Sequence, residues 1–387
     1  PGHFDWPAHY LKQFHIDYAD KAQLDAMVKQ AGFEQWYQLY GDRNNQETNP
    51  ERPSIRAWKI HQPAPKQPIV AVRNPYYWKV DTAGNQLPYI DRIEWMVVES
   101  GDVINLRAAA GEVDMQLRHI LFSNYPIVTE SAERGDDRIL EWTWGENETV
   151  VHFTQNSADP VKKPILEDKR FRYALSLAAN RAEICEAVYY GTVEPSQLVP
   201  YPTSPWWTEE RAMFMAQYDP DRANAYLDEM GLTQRDSEGY RLMPDGRRLV
   251  IVFEYVPIFG AWRSIAELLS AHWAKLGIEL ISSEESRELW AQRVETGEMD
   301  MTIWTGTAEF NPLTALATWI PHQERAYGGT LLRLWDETGG REGVEPTPEM
   351  HELQDIYEEM QVTVDEAEQR RLFRRILELY KEHLYAI

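Results

Sequence analysis

The sequence contains a single cysteine, Cys185, in 387 residues. One thiol cannot form an intrachain disulfide, so a disulfide-stabilised scaffold is excluded. Cys185 falls within an apolar helical pattern, which predicts a buried and unreactive thiol. A lone cysteine is compatible with the cytoplasm and with an oxidising compartment alike.

Basic residues are scarce relative to acidic ones. The chain has 39 Lys and Arg against 62 Asp and Glu, which gives a net charge of −23 at pH 7. Such a chain repels nucleic-acid phosphates and anionic membrane surfaces, which argues against both as partners. The acidic residues are scattered along the sequence, so they indicate a solvated surface rather than an acidic tail.

Long apolar runs are also missing. No segment reaches the roughly 18 apolar residues that a membrane-spanning helix requires. The opening residues, PGHFDWPAHY, lack the basic start and the apolar stretch of a signal peptide. Because the chain also starts without Met, we expect a mature or truncated product.

Motifs for catalysis and for metal binding are absent from the sequence. The histidines are dispersed, no pair has the i, i+4 spacing of a helical metal site, and no phosphate-binding glycine loop or GxSxG motif occurs. We therefore expect no metal site and no cofactor. Adjacent carboxylates such as Glu284 and Glu285 carry little information in so acidic a chain, although an enzyme that uses paired carboxylates remains an alternative.

Apolar and aromatic residues are abundant. Apolar residues make up 43% of the chain, which includes 15 Trp and 20 Tyr. This composition supports a large core, and the length suggests two domains or one domain with part of another. Many large amphipathic rings also suit a protein that stacks on a sugar ring or on a ligand side chain.

The stretch from Ile69 to Ser100 predicts a hairpin. Residues Ile69–Asn74 alternate apolar and polar side chains, Asp81–Asn85 are turn formers, and Arg92–Ser100 suit a returning strand. The aromatic residues between the first strand and the turn predict a half-buried strand. This region is interpreted as scaffold.

From about residue 160 the pattern changes to capped helices that alternate with strands. Asp168 and Asp219 are predicted N-caps, and strands are predicted at Arg247–Tyr255, Ile278–Ser283 and Asp300–Gly306. Alternating strands and helices are typical of an α/β layered fold.

One segment, Met299–Pro312, indicates a ligand-binding site. An apolar strand leads to Trp304, and the loop beyond it carries three polar side chains: Thr307, Glu309 and Asn311. Ligands of open α/β sheets bind just beyond the carboxyl ends of strands, so we expect Trp304 to offer a stacking face and the loop to offer hydrogen bonds. Packing of Trp304 between strand and helix is the alternative.

Several stretches, in order, resemble the family 5 extracytoplasmic solute-binding proteins, the oligopeptide-, dipeptide- and nickel-binding class that serves ABC importers. They are PAHYLKQFH, VRNPYYWKVDTAGNQLPYIDRIE, LRAAAGEVDM, LEDKRFRYALSLAANRAEI, YDPDRANAYLDEMGL, LLSAHWAKLGIEL and MDMTIWTG. The resemblance implies the two-lobed α/β fold of type II periplasmic binding proteins.

The resemblance also implies a domain organisation. Residues 1–149 correspond to part of the first lobe, 150–156 to the outward hinge crossing, and 157–387 to the inserted second lobe. It further implies a periplasmic or extracytoplasmic protein that captures an oligopeptide or an oligosaccharide between two lobes and delivers it to a membrane permease. An α/β carbohydrate-active enzyme with paired carboxylates is the alternative.

The sequence departs from the family pattern at one position. Relatives that carry peptides place an Asp three residues after the tryptophan, where it pairs with the peptide amino terminus. Here Thr307 occupies that position, and the nearest carboxylate is Glu309. Either Glu309 replaces the missing Asp or the ligand has no ammonium group there, so peptide and sugar both stay open.

Overall fold

The computed structural model describes residues 6–135, 138–140, 149–155, 157, 159–257, 260–306, 319–320 and 329–387. These residues belong to two compact units, residues 1–100 and residues 101–387. The lobe boundaries expected near residues 149 and 156 follow from the family resemblance, and they stay predictions.

The first unit begins with helices. Helix α1 spans Ala8–Leu11, α2 spans Lys21–Gln30 and α3 spans Trp36–Asn44. Asp20 caps α2, because its carboxylate accepts a hydrogen bond from the Gln23 amide at 3.0 Å. A small core joins these helices and consists of Phe14, Leu24, Val28 and Leu39.

A three-stranded antiparallel sheet follows in the first unit. Strand β1 spans Trp58–Gln62, β2 spans Ile69–Arg73 and β3 spans Arg92–Trp95, in the order β1-β2-β3. The predicted pairing of the strands that begin at residues 69 and 92 is confirmed. Strand β3 ends at residue 95, five residues earlier than predicted.

The prediction of a half-buried aromatic strand between β2 and β3 is wrong. Tyr76 is 89% exposed and Trp78 is 68% exposed. The turn is held instead by Asp81, whose carboxylate accepts hydrogen bonds from the Tyr89 hydroxyl at 2.5 Å and the Asn85 amide at 2.8 Å. These hydrogen bonds lower the pKa of Asp81 to about 2.

The second unit contains a four-stranded sheet. Strand β4 spans Val150–Phe153, β5 spans Val250–Tyr255, β6 spans Glu279–Glu284 and β7 spans Met301–Trp304. The order is β4-β7-β5-β6, with β5 parallel to both β6 and β7, and β4 antiparallel to β7. Three parallel strands with intervening helices confirm the predicted α/β class.

The second unit also contains helices. They are α4 Gly101–Ala109, α5 Tyr125–Arg134, α6 Lys163–Glu167, α7 Lys169–Ala178, α8 Arg181–Tyr189, α9 Glu209–Ala212, α10 Pro220–Glu229, α11 Trp262–Ala274, α12 Arg287–Thr296, α13 Thr330–Thr338, α14 Pro348–Val362 and α15 Glu366–His383. The predicted caps are confirmed, since Asp168 accepts from the Arg170 amide and Asp219 accepts from the Arg222 amide.

The main core of the second unit lies between the sheet and helices α7 and α11. Ile251 and Phe253 of β5 are fully buried there together with Trp273 of α11. The Trp273 indole donates a hydrogen bond to the Leu175 carbonyl of α7 at 3.0 Å, so even this polar atom is satisfied. Cys185, predicted to be buried, is partly exposed, and burial of the thiol raises its pKa.

The last residues of the chain extend this sheet beyond β4. Val151 and Ile387 exchange two backbone hydrogen bonds, of 2.8 and 2.9 Å, and the Phe153 amide donates to the Tyr385 carbonyl at 3.2 Å. Two segments far apart in sequence therefore run side by side in opposite directions. No helix in the described ranges is long and apolar enough to cross a membrane.

Candidate ligand-binding site

The candidate site lies at the carboxyl edge of the parallel strands in the second unit. Strands β5 and β7 end together there, at Tyr255 and Trp304. Helices α11 and α12 begin at the same edge, because each follows a parallel strand of the sheet. Trp304 is also opposite Val150, the first residue of β4. Strand ends and helix starts thus meet where α/β proteins commonly bind ligands.

Three indole rings pack against each other at this edge, and we call Trp262, Trp290 and Trp304 the tryptophan cluster. The rings of Trp304 and Trp290 stack with centroids 4.8 Å apart and planes 16° apart. The Trp262 ring lies 5.6 Å from that of Trp304 at an angle of 45°. Trp304 thus packs between its strand and two helices, yet it stays partly exposed. Its contact with a ligand remains a prediction.

A chain of hydrogen bonds fixes the orientation of Trp290. Its indole N–H donates to the Thr302 hydroxyl at 2.8 Å, and that hydroxyl donates to the Glu254 carbonyl at 2.8 Å. Thr302 is buried on β7, so these bonds form where water does not compete. The hydrogen bonds to Thr302 therefore fix the Trp290 ring, on which Trp304 stacks.

A buried carboxylate lies beneath helix α12. Glu254 is only 1% exposed, and its Oε1 forms an ion pair with Arg293 Nη1. Its Oε2 has no hydrogen-bond partner within the described part of the chain. Burial raises the pKa of Glu254, and the nearby Arg293 charge opposes this rise.

Arg287 brings a positive charge to the edge. It is the first residue of α12, it is exposed, and its guanidinium carbon lies 5.6 Å from the centroid of the Trp304 ring. A cation at this distance is attracted by the electrons of an indole ring. Among the described residues no carboxylate forms a salt bridge with Arg287, so its charge faces solvent or a ligand.

The structure places one of the four predicted site residues. Trp304 lies at the strand end where it was expected, and the other three, Thr307, Glu309 and Asn311, lie outside the described residues. Their roles stay predictions.

Sequence reasoning missed Arg287 and the two tryptophans that pack against Trp304. The sequence patterns did not single out Trp262 as a site residue, and helix α12 was not predicted. A signal for α12 existed, because Ser286 is a standard N-cap whose side chain accepts from the Leu289 amide at 3.3 Å. In the described ranges, no group of three or more His, Cys, Asp or Glu side chains is arranged to hold a metal ion.

The chain belongs to the bacterial extracellular solute-binding proteins, family 5 Middle, whose family model matches residues 10–327. One relative is the periplasmic alpha-galactoside-binding protein of Rhizobium meliloti, which is 27% identical over 275 residues, covering 67% of this chain and 39% of that protein. Another is the dipeptide-binding protein of Escherichia coli, which is 32% identical over 187 residues, covering 47% of this chain and 32% of that protein.

Solved structures confirm the fold class. An oligopeptide-binding protein, OppA, superposes with a TM-score of 0.68 and 31% identity, covering 98% of this chain and 63% of that one. The periplasmic binding protein MelB of Agrobacterium fabrum, solved with stachyose, gives a TM-score of 0.67 with 21% identity over 98% of this chain and 56% of that one. The chain therefore has the fold of periplasmic binding proteins and spans less than two thirds of the length of each of these relatives.

Proposed function

We propose that the protein is the solute-binding component of an ABC importer. It captures an oligopeptide or an oligosaccharide outside the cytoplasmic membrane, in the periplasm or an equivalent compartment, and delivers it to a membrane permease. The observation that carries this proposal is the family match, which extends over most of the chain. No nucleic acid and no cofactor take part.

In this proposal the solute lies against the carboxyl edge of the second unit's sheet. The tryptophan cluster supplies an aromatic surface for affinity, and Thr307, Glu309 and Asn311 supply polar groups for orientation. The hydrogen bonds beneath Trp290 support this role, because a surface that is already rigid loses little entropy when a solute binds.

We also retain the lobe division as part of the proposal. Residues 1–149 are assigned to the first lobe, 150–156 to the outward crossing and 157–387 to the second lobe. The antiparallel pairing of β4 with residues 385–387 supports this assignment, since the segment that enters the second lobe then lies beside the last residues of that lobe. Segments that connect two lobes are the natural place for a hinge.

Binding is proposed rather than catalysis. A glycoside-cleaving enzyme would need two carboxyl groups roughly 5–10 Å apart across its cleft. The buried carboxylate found near the candidate edge, that of Glu254, is paired with Arg293 instead. The relatives named above are binding proteins, which also favours a carrier.

Two solute classes have support. The similarity to a dipeptide-binding protein and to OppA favours a peptide. The similarity to an alpha-galactoside-binding protein favours a sugar, as does Thr307 at the position where peptide carriers have Asp. The two classes differ in charge, because a peptide has an ammonium group and a neutral sugar has none.

Thermal unfolding with panels of oligopeptides and oligosaccharides tests the proposal. A true solute in large excess should stabilise the protein by about 3–4 kcal/mol. Calorimetry of the Glu309→Gln variant then distinguishes the classes, because loss of a buried charge partner weakens a peptide strongly and a neutral sugar scarcely. If no member of either panel stabilises the protein, the proposed function is wrong.

A further inference from the structure

A cavity lies at the end of the same sheet opposite the tryptophan cluster. Strand β4 starts beside Trp304 and ends at Phe153, which pairs with Met301 at the start of β7. Gln155, two residues beyond Phe153, lines a polar cavity of about 520 Å³ between the ends of helices α7, α14 and α15. This volume is typical of a small-molecule pocket. The length of the strands separates it from the tryptophan cluster.

A buried cation forms one wall of the cavity. Arg172 is 1% exposed, and it donates from Nε to the His383 carbonyl and from Nη1 to the Leu166 carbonyl, each at 2.6 Å. Within the described ranges it forms no ion pair, and its Nη2 has no hydrogen-bond partner. A charge buried without a counter-charge is costly, so an anionic group placed in the cavity would be strongly favoured.

The hydroxyl of Tyr385 is a second unused group on the same wall. Tyr385 is 6% exposed, and its hydroxyl has no hydrogen-bond partner of ordinary geometry among the residues that the structure describes. Thr347 is nearby and only slightly offsets the rise that burial causes in the pKa of Tyr385. The Arg172 guanidinium lies 5.2 Å from the centre of the Tyr385 ring, so the two side chains are neighbours in the cavity wall.

The charges at the rim of the cavity neutralise one another. Lys169 pairs with Glu382 at 2.9 Å, and Arg375 pairs with Glu352 at 2.5 Å. Glu349, at the start of α14, also lines the cavity and forms no ion pair with any described residue. It is the natural partner for a cation in the cavity.

The unpaired charges of the lining are therefore one of each sign. Glu167, also in the lining, pairs with Lys163 at 3.6 Å, and burial lowers the pKa of His383, which leaves that imidazole neutral at pH 7. Arg172 and Glu349 both line this one cavity, so the two opposite charges face the same space.

We propose that this cavity binds a free α-amino acid. Its carboxylate accepts hydrogen bonds from Arg172 Nη2 and the Tyr385 hydroxyl, and its ammonium group pairs with Glu349. A small anion would satisfy only Arg172, and a small amine would satisfy only Glu349, whereas an amino acid satisfies both. The site is independent of the proposed solute site, since it uses none of the same residues.

Thermal shift and calorimetric titration with the twenty standard amino acids test this proposal. The strongest binder is then compared with its analogue without the amino group and its analogue without the carboxylate, such as propionate and ethylamine for L-alanine. Each analogue should bind at least about tenfold more weakly than the amino acid, because each leaves one charge of the cavity, that of Arg172 or that of Glu349, without its partner. If no amino acid binds, the proposal is overturned.

Matched variants locate the site. Glu349→Gln should weaken the amino acid about tenfold or more and leave its deaminated analogue unchanged, because only the ammonium contact is removed. Tyr385→Phe should weaken both about fivefold. Glu359→Gln, an exposed position on the same helix, is the control and should change neither. The opposite pattern would overturn the proposal: if Trp304→Ala loses amino-acid binding and Glu349→Gln keeps it, the amino acid binds at the tryptophan cluster.

Discussion

The two ends of the second unit's sheet use their polar groups in opposite ways. At the carboxyl edge, the indole of Trp290 and the hydroxyl of Thr302 bind to neighbouring protein groups, and an aromatic surface results. At the other end, the buried Arg172 and Tyr385 each keep one donor, Arg172 Nη2 and the Tyr385 hydroxyl, that forms no hydrogen bond with a described residue. In our proposals, this one sheet therefore carries two kinds of recognition surface.

The two surfaces make different demands on a ligand. An aromatic surface stacks on many flat or apolar groups, since stacking requires no particular hydrogen-bond donor or acceptor. A buried charge favours only ligands that bring the opposite charge, because only these offset the cost of its burial. We therefore expect broad selectivity at the carboxyl edge and narrow selectivity in the cavity.

The largest expected effect is at the charged end. Replacement of Arg172 by Met removes charged hydrogen bonds to two backbone carbonyls, the buried one of Leu166 and the partly buried one of His383. We expect the free energy of unfolding to fall by about 3 kcal/mol in urea titrations. Lys169→Met, at the exposed rim, is the control and should cost less than about 1 kcal/mol. Equal effects of the two changes would remove the distinction between the cavity wall and its rim.

His152 lies on β4, which runs between the two ends of the sheet, and it makes the free energy of unfolding depend on pH. Burial lowers its pKa to about 3 in the folded protein. As pH falls below about 6.5, His152 becomes protonated in the unfolded chain but stays neutral in the folded protein. The free energy of unfolding therefore decreases as pH falls. Between pH 7.5 and pH 5 we expect His152 to lower the free energy of unfolding, measured by urea titration, by about 2 kcal/mol.

The His152→Gln variant should lack this part of the acid-induced loss. His351→Gln, at a partly exposed histidine of the same unit, is the matched control and should lose stability as the wild type does. If His152→Gln keeps the pH dependence of the wild type, the His152 imidazole is reached by water in the folded protein and its burial does not cause the acid-induced loss.

Glu254 should have the opposite pH dependence at the aromatic edge. Because burial raises its pKa, the stability it contributes is present at low pH and is lost as pH rises through the folded-state pKa. The free energy of unfolding of Glu254→Gln, measured relative to that of the wild type, should therefore increase between pH 4 and pH 7. Glu298→Gln, at an exposed carboxylate near the same Arg293, should show no such trend.

The smallest expected effect is at Arg287. A cation near an exposed aromatic ring contributes about 0.5–1 kcal/mol, so Arg287→Gln should lower the free energy of unfolding by about 0.5 kcal/mol. Glu288→Gln, the next residue on the helix, should change it less. A loss as large as that of Arg172→Met would mean that the aromatic edge also depends on a structural charge.

Local signals in the sequence predicted much of the second unit. The caps at Asp168 and Asp219 depend on hydrogen bonds within a few residues, so they can be recognised from spacing alone. The end of β7 at Trp304 followed from an apolar run that stops. The aromatic stretch around Tyr76 was predicted wrongly, because composition does not determine which face of a chain segment is covered.

Long-range contacts account for what could not be predicted. Arg172 binds the carbonyl of His383, 211 residues away, and nothing near Arg172 in the sequence signals that partner. The stacking of Trp290 on Trp304 likewise depends on how α12 crosses the sheet. Propensity and spacing describe elements, whereas these sites form only when the elements pack.

Calorimetry of the Trp304→Ala variant with the solute identified in the panels tests the central claim most directly. The proposal predicts that affinity falls about 30-fold or more, since a stacked tryptophan anchor is worth about 2 kcal/mol. Trp207→Ala, at a partly buried tryptophan elsewhere in the same unit, should bind the solute as the wild type does. Wild-type affinity in the Trp304→Ala variant would contradict the account, because the aromatic edge would then be scaffold and not the surface that receives the solute.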